Sequence, residues 1–97
     1  MLKKRRFKKK NVVKVTFVLP PEVEAETIHL VGEFNDWQTS HAMRRQKDGG
    51  WRITMDLEAG REYQFRYSVD GHKWLNEPRA DKYVPNPYGG QNAVVVT

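Results

Sequence analysis

Two of the three tryptophans, Trp37 and Trp74, have the clearest potential for binding chemistry. Each follows a turn and lacks the alternating apolar partners of a buried strand, so we expect both indoles to be exposed at strand ends. An exposed indole offers a flat apolar face on which the C–H face of a sugar ring can stack, while nearby polar side chains bind the hydroxyl groups. The alternative is that the two rings cap the open ends of the fold.

Trp51 differs because it lies within a strand pattern. It alternates in register with Ile53, Met55 and Leu57, which predicts a structural role in the core. The same period of two predicts further strands at 12–19, 27–31, 42–46, 62–69 and 92–97. Met43 is expected to point inward. Turn signals such as Asp48-Gly49-Gly50 and Asp70-Gly71 separate these strands.

The segment 76–91 is the exception to this regular spacing. It contains three prolines and two adjacent glycines, so we expect little regular structure over most of it, and a loop this long in a small domain is usually functional. Short strands, frequent turns and the lack of helical periodicity predict an all-β fold. The predicted architecture is an antiparallel immunoglobulin-like β-sandwich of six to eight short strands.

The positive charge is concentrated at the N-terminus. Seven of the 17 Lys and Arg residues lie between Lys3 and Lys10, which leaves ten against 12 Asp and Glu in the remainder. We therefore divide the chain into a basic N-terminal segment, 1–10, and one β-sandwich domain, 11–97. The segment could bind polyanions weakly or keep a neighbouring edge strand soluble; the second interpretation is favoured, and nucleic acid is an improbable partner.

Several functional classes find little support in the sequence. The chain has no cysteine and no apolar stretch of membrane-spanning length, which favours a soluble cytoplasmic protein. His29, His41 and His72 occur at unrelated spacings, so neither a metal site nor a cofactor is predicted. Carboxylates near the turns, such as Glu33 and Asp36, have ordinary structural reasons to be there, and no catalytic pair is predicted.

Several motifs in order resemble the family-48 carbohydrate-binding modules. These are the octapeptide LVGEFNDW at 30–37, the segment YQFRYSVDG at 63–71, Trp74, and Asn92 near the start of the last strand. The family consists of isoamylase-type early-set domains and includes the glycogen-binding domain of the AMP-activated protein kinase beta subunit. The resemblance covers roughly residues 12–97 and implies the same sandwich fold.

The resemblance also implies a set of binding residues. Arg66 occupies the position of the family's basic residue before the Asp-Gly turn, and Asn92 that of its asparagine, so both are expected to bind sugar hydroxyls beside Trp37 and Trp74. Tyr88 stands where the kinase modules have an apolar residue that packs beside a sugar ring. The chain departs from the kinase modules at Gly90, which replaces a threonine, and in one extra residue in the hairpin before Trp74.

The function that the resemblance implies is non-catalytic binding of α-1,4-linked glucans such as glycogen, starch or maltooligosaccharides. The modules of this kind that accompany glucan-active enzymes leave the chemistry to a separate catalytic barrel, so a glycogen- or starch-metabolising enzyme is a possible partner. The alternative is an early-set domain that interacts with proteins, or assists such an enzyme, without binding sugar itself.

Overall fold

A computed structural model describes residues 1–7 and 10–97, which form two antiparallel sheets packed as a sandwich. The strands are β1 (Leu2–Arg6), β2 (Val12–Leu19), β3 (Ile28–Gly32), β4 (His41–Ala42), β5 (Arg44–Arg45), β6 (Trp51–Glu58), β7 (Glu62–Val69), β8 (Lys73–Leu75), β9 (Lys82–Pro85) and β10 (Gln91–Val96). A short 3-10 helix, Glu33–Asn35, follows β3. The all-β sandwich prediction is confirmed, with more strands than expected.

The two sheets contain four and six of the strands, respectively. The first has the strand order β1-β2-β6-β5, and the second has the order β4-β3-β7-β10-β9. Strand β8 also joins the second sheet, because its residues pair with 67–69 of β7 whereas β10 pairs with 62–65. The outward face of this second sheet carries the candidate site.

The core follows the period of two that the sequence shows. Val13, Val15, Phe17 and Leu19 of β2 are all buried, and Trp51 is only 3% exposed, so its structural role is confirmed. The core aromatics pack edge to face, with 5.1 Å between the ring centroids of Phe17 and Phe65 and 5.8 Å between those of Phe65 and Tyr67.

The basic segment is not entirely separate from the sandwich. Leu2–Arg6, which the sequence assigned to the segment before the domain, form edge strand β1 instead, with Lys4 opposite Val15. On this inward face Lys4 forms an ion pair with Asp81 at 2.6 Å, and Arg6 donates to the Thr97 carbonyl. Both cations therefore join the two sheets. Lys8 and Lys9 lie outside the described residues.

Two further segments differ from the sequence prediction. The predicted strand 42–46 is two short strands, because β4 pairs in the second sheet and β5 in the first. Met43 lies at this crossing and is buried as expected. Within the segment expected to be largely irregular, Lys82–Pro85 forms edge strand β9, where Pro85 needs no ladder partner on its outer side.

One carboxylate is fully buried beneath the second sheet. Glu77 accepts hydrogen bonds from the Tyr67 hydroxyl at 2.9 Å and from the Arg79 backbone N–H at 2.9 Å, and the α-amino group of Met1 also contacts it. Burial, together with this neighbouring carboxylate, raises the pKa of Tyr67 well above its ordinary value. Tyr67 is therefore held in its neutral, donating form.

The raised pKa of Tyr67 predicts a loss of stability in alkali. An unfolded tyrosine ionises near about pH 10, whereas folded Tyr67 does not, so unfolding releases a proton above that pH and is favoured by up to about 1.4 kcal/mol per pH unit. We expect the free energy of unfolding of Tyr67→Phe to fall less steeply than that of wild type between about pH 9.5 and 11 in urea titrations. Parallel slopes would contradict this assignment.

Gly32 ends β3 at a point where the backbones approach closely. A Cβ atom there would lie 2.6 Å from the Gln64 carbonyl oxygen, 2.8 Å from the Phe65 Cβ and 2.9 Å from a Phe34 ring atom. Its φ of −172° is ordinary extended backbone. The need for glycine is therefore steric rather than conformational.

A matched pair of substitutions tests this steric requirement. Gly32→Ala should lower the free energy of unfolding by roughly 2–3 kcal/mol, since neither the carbonyl nor the Phe65 Cβ can move without shifting β7. Gly60→Ala, at φ +73° with nothing within 4 Å, should cost only about 1 kcal/mol. Urea unfolding measures both values, and an equal or reversed order would show that crowding is not the constraint.

Candidate functional site

An open cavity of about 540 Å³ lies on the outward face of the second sheet. Its nine lining residues are Glu33, Trp37, Gln64, Arg66, Trp74, Asn86, Pro87, Tyr88 and Asn92. All five residues predicted from the sequence as a binding set are among them. They come from the turn after β3, from β7, β8 and β10, and from the loop between β9 and β10.

The turn after β3 is held in place by hydrogen bonds to β3 and by aromatic packing. The Asn35 side chain accepts from the Gly32 N–H at 3.0 Å and donates to the Leu30 carbonyl at 2.9 Å. Phe34 packs into the end of the sandwich, with its ring centroid 6.0 Å from those of Phe17 and Tyr63. These contacts hold the turn before it reaches its tryptophan.

Trp37 lies in a turn whose backbone is strained at two residues. Asp36 and Trp37 both have left-handed φ values, 53° and 59°, which are unfavourable for a bulky side chain. A hydrogen bond from the Trp37 N–H to the Gly32 carbonyl, 2.8 Å, closes the turn. The indole is left 40% exposed at the cavity instead of packed in the core.

The second indole lies on β8, next to the central strand of the sheet. Trp74 pairs with Ser68 and is 54% exposed. The guanidinium carbon of Arg66 lies 5.6 Å from the centroid of its ring, a cation–π arrangement that orients both groups. Arg66 is not paired with Glu62, which instead binds Lys82 at 2.5 Å.

The hairpin before Trp74 is anchored, through Asp70, to the segment that precedes β3. The Asp70 carboxylate accepts from the backbone N–H groups of Thr27 and Glu26 at 2.9 and 2.8 Å, and these two bonds lower the pKa of Asp70 below its ordinary value. Asp70 itself is in the left-handed region, at φ 53°. The extra residue in this hairpin does not remove Trp74 from the cavity.

Asn92 borders the cavity with a carboxamide that is partly engaged by its neighbours. It is only 9% exposed, its Nδ2 donates to Gln64 Oε1 at 3.1 Å, and its Oδ1 accepts from Asn86 Nδ2 at 3.3 Å. The sequence could not show that two neighbouring amides already engage this carboxamide. Asn92 therefore lies in the floor of the cavity.

Tyr88, in contrast to Asn92, is almost fully exposed to solvent. It is 93% exposed, on a loop that the Asn86 side chain closes by accepting from the N–H groups of Tyr88 and Gly90 at 2.9 and 3.1 Å. Gly89, at φ +88°, permits the sharp turn in this loop. The phenol ring therefore stands at the rim of the cavity and is exposed to solvent.

Four lining residues were not among the sequence-predicted set: Glu33, Gln64, Asn86 and Pro87. Gln64 belongs to the outward set of β7, the same set as Arg66, and this alternation could have identified it. Glu33 was assigned an ordinary turn role. Its Oε1 does accept from the Gln64 backbone N–H at 2.6 Å, but the side chain also borders the cavity.

The chemistry of these side chains is that of a polar binding surface with aromatic faces. Among the described lining residues Glu33 is the one carboxylic acid, beside one guanidinium and three carboxamides. Within residues 1–7 and 10–97 no three His, Cys, Asp or Glu side chains are grouped to hold a metal ion. The described residues form no apolar helix of membrane-spanning length.

Comparison with known proteins agrees with this geometry. The family described as "Glycogen recognition site of AMP-activated protein kinase" matches residues 13–96, so β1 precedes the matched region. The chain is also 37% identical over 75 residues to the 1,4-alpha-glucan branching enzyme GlgB of Lactobacillus acidophilus, a match that covers 74% of the chain and 11% of the enzyme. The resemblance drawn from the sequence motifs is confirmed, and the chain belongs to the glycogen-recognition family of carbohydrate-binding modules.

Proposed function

We propose that this protein binds α-1,4-linked glucans, such as glycogen, starch or maltooligosaccharides, without cutting them. The observation that carries the proposal is that two exposed indoles, 37 residues apart in the chain, border one open cavity together with polar side chains. Membership of a family described by glycogen recognition supports it, as does the similarity to an enzyme named for its action on 1,4-alpha-glucan.

The aromatic groups account for recognition of the sugar rings. Trp37 and Trp74 offer faces on which the C–H groups of successive glucose rings stack, and Tyr88 at the rim offers a third. Arg66 lies against Trp74 and so holds that ring in place while its outer N–H groups remain available to hydroxyls. A curved glucan would cross the cavity along these faces.

The polar groups and the openness of the cavity set the strength of binding. Arg66, together with the carboxamides around Asn92, provides hydrogen bonds to hydroxyl groups. Because the cavity is open and much of the sugar stays hydrated, we expect modest affinity for a single short glucan. The lack of cysteine is consistent with a cytoplasmic location, which stays a prediction.

Substitution of the two indoles tests this proposal. Trp37→Ala and Trp74→Ala should each weaken binding of a cyclic maltooligosaccharide by roughly 10- to 100-fold, because each removes one stacking face worth about 1.5–3 kcal/mol. Isothermal titration measures the change. Arg52→Ala, an exposed position on the other sheet, serves as the control and should bind as wild type does. Wild-type affinity in both tryptophan variants would refute the site.

A second candidate function is that of an accessory domain that acts beside a separate glucan-active enzyme without binding sugar. The observation in its favour is the match to a small part, 11%, of a branching enzyme, because a similar segment there is one part of a much larger enzyme chain. The exposed aromatics would then form a surface for the partner enzyme.

Retention on amylose resin separates the two candidates. Glucan binding predicts that the protein is retained and that free maltose releases it, since the sugar competes for the same stacking faces. The accessory role predicts that the protein flows through unretained. The Trp37→Ala, Trp74→Ala double variant is the matched control, because retention that survives removal of both indoles would arise elsewhere on the surface.

A further inference from the structure

One histidine joins the two ends of the loop that carries Trp37. Asn35 ends the 3-10 turn before this loop, and His41 begins β4 after it. The two side chains meet, with Asn35 Nδ2 at 3.1 Å from His41 Nδ1. Between them, the backbone of Asp36 and Trp37 is in the left-handed region. The contact between Asn35 and His41 therefore closes the segment 36–40 around its strained residues.

The backbone of β3 fixes the direction of the Asn35 amide. The Gly32 N–H can only donate, and it meets Asn35 Oδ1 at 3.0 Å. The Leu30 carbonyl can only accept, and it meets Asn35 Nδ2 at 2.9 Å. Turning the amide over would break both of these bonds. The nitrogen is therefore the atom that faces His41, and it can only donate.

The fixed amide requires a neutral His41 ring. Because Asn35 Nδ2 donates, His41 Nδ1 must accept, and the ring proton then lies on Nε2. The Ser40 hydroxyl lies 3.0 Å from the same nitrogen, and a hydroxyl can donate or accept. When His41 is protonated, its Nδ1–H can turn to Ser40 but has no bond to make with Asn35. Protonation thus breaks the contact that closes the loop.

The ionisable groups on the elements around His41 form no ion pair with it. His29 lies opposite Ala42 and so faces the other side of the sheet, whereas His41 lies opposite the apolar Leu30. Among residues 1–7 and 10–97 no carboxylate pairs with His41. A proton on this ring therefore has no counter-charge in contact with it. The charged groups nearest in the fold are Glu33 and Asp36 of the turn and Arg44 and Arg45 of β5.

We propose that His41 is a positioning residue for Trp37, and that glucan affinity falls when His41 takes up a proton. The neutral ring accepts from Asn35 and holds the loop in the form that presents the indole to the cavity. The charged ring releases Asn35, so the left-handed backbone can relax and withdraw the indole. The inference rests on the proposed glucan-binding function. Affinity is full above the pH range in which histidine ionises and is lost as the pH falls through it.

The experiment measures affinity for maltoheptaose by isothermal titration at about pH 8 and about pH 5.5, on either side of the range in which histidine ionises. Wild type should bind roughly threefold to tenfold more weakly at the lower pH, the effect of one lost hydrogen bond. His41→Asn keeps a neutral acceptor near the place of Nδ1, so its affinity should stay within about twofold of wild type at the higher pH and should not fall at the lower one. His41→Leu has no acceptor and should bind weakly at both.

His72→Asn is the matched control. It removes another histidine, whose Nδ1 contacts the Asp70 carbonyl in the hairpin before Trp74, and it should keep the pH dependence of wild type. Glu33, the carboxylate at the cavity, is unchanged in every variant, so a pH dependence that arises from Glu33 would persist in His41→Asn. Urea unfolding at both pH values separates loss of affinity from loss of structure.

A second measurement examines the wild-type protein without glucan. The imidazole ¹⁵N resonances of His41, identified by their loss in His41→Asn, should show a proton on Nε2 and none on Nδ1 at about pH 8. The indole N–H resonance of Trp37, identified by its loss in Trp37→Ala, should shift as His41 titrates. In His41→Asn the same resonance should stay in place over this pH range.

The outcomes distinguish the inference from the function on which it rests. If wild type binds maltoheptaose equally at both pH values, or if His41→Asn keeps the pH dependence, the inference is wrong while the proposed function stands. A proton on His41 Nδ1 in the neutral ring would overturn it too. If wild type binds maltoheptaose at neither pH, the proposed function fails, and the inference fails with it.

Discussion

The close approach of Gly32 to β7 is the constraint on which the site depends. With no room for a side chain between Gly32 and the Gln64 carbonyl, β3 lies tight against β7, and the chain leaves the sheet at once into the 3-10 turn. Asn35 then ties this turn back to the strand, and Glu33 accepts from the Gln64 N–H. The position of Trp37, and its strained backbone, follow from these contacts.

The two sheets divide structural and binding roles between them. The inward faces supply an aromatic and aliphatic core, in which Trp51 and Phe17 are buried. The outward face of the second sheet supplies the site, where apolar ring faces alternate with amides that are already bonded to one another. This prior bonding lowers the entropy lost when a ligand orders the side chains. The N-terminal strand lies outside the site and joins the sheets through Lys4 and Arg6.

Regular alternation and known motifs were the most informative parts of the sequence. The buried faces of β2 and β6 follow from a period of two, and the motif resemblance led to the same five side chains that now surround one cavity. The errors fall where backbone pairing decides the structure. Strand β1 has no apolar alternation, β9 contains a proline, and the segment around Met43 changes sheets within five residues.

The sequence by itself determined the fold class, the core and the display of Trp37 and Trp74, because burial periodicity and turn residues act locally along the chain. Only the tertiary structure decided that Arg66 stacks on Trp74, that Asn92 is enclosed, and that Gln64 and Glu33 border the cavity. These relations join segments separated by as many as 31 residues, such as Glu33 and Gln64. Hydrogen-bond direction across such distances depends on three-dimensional neighbours, and no local pattern records it.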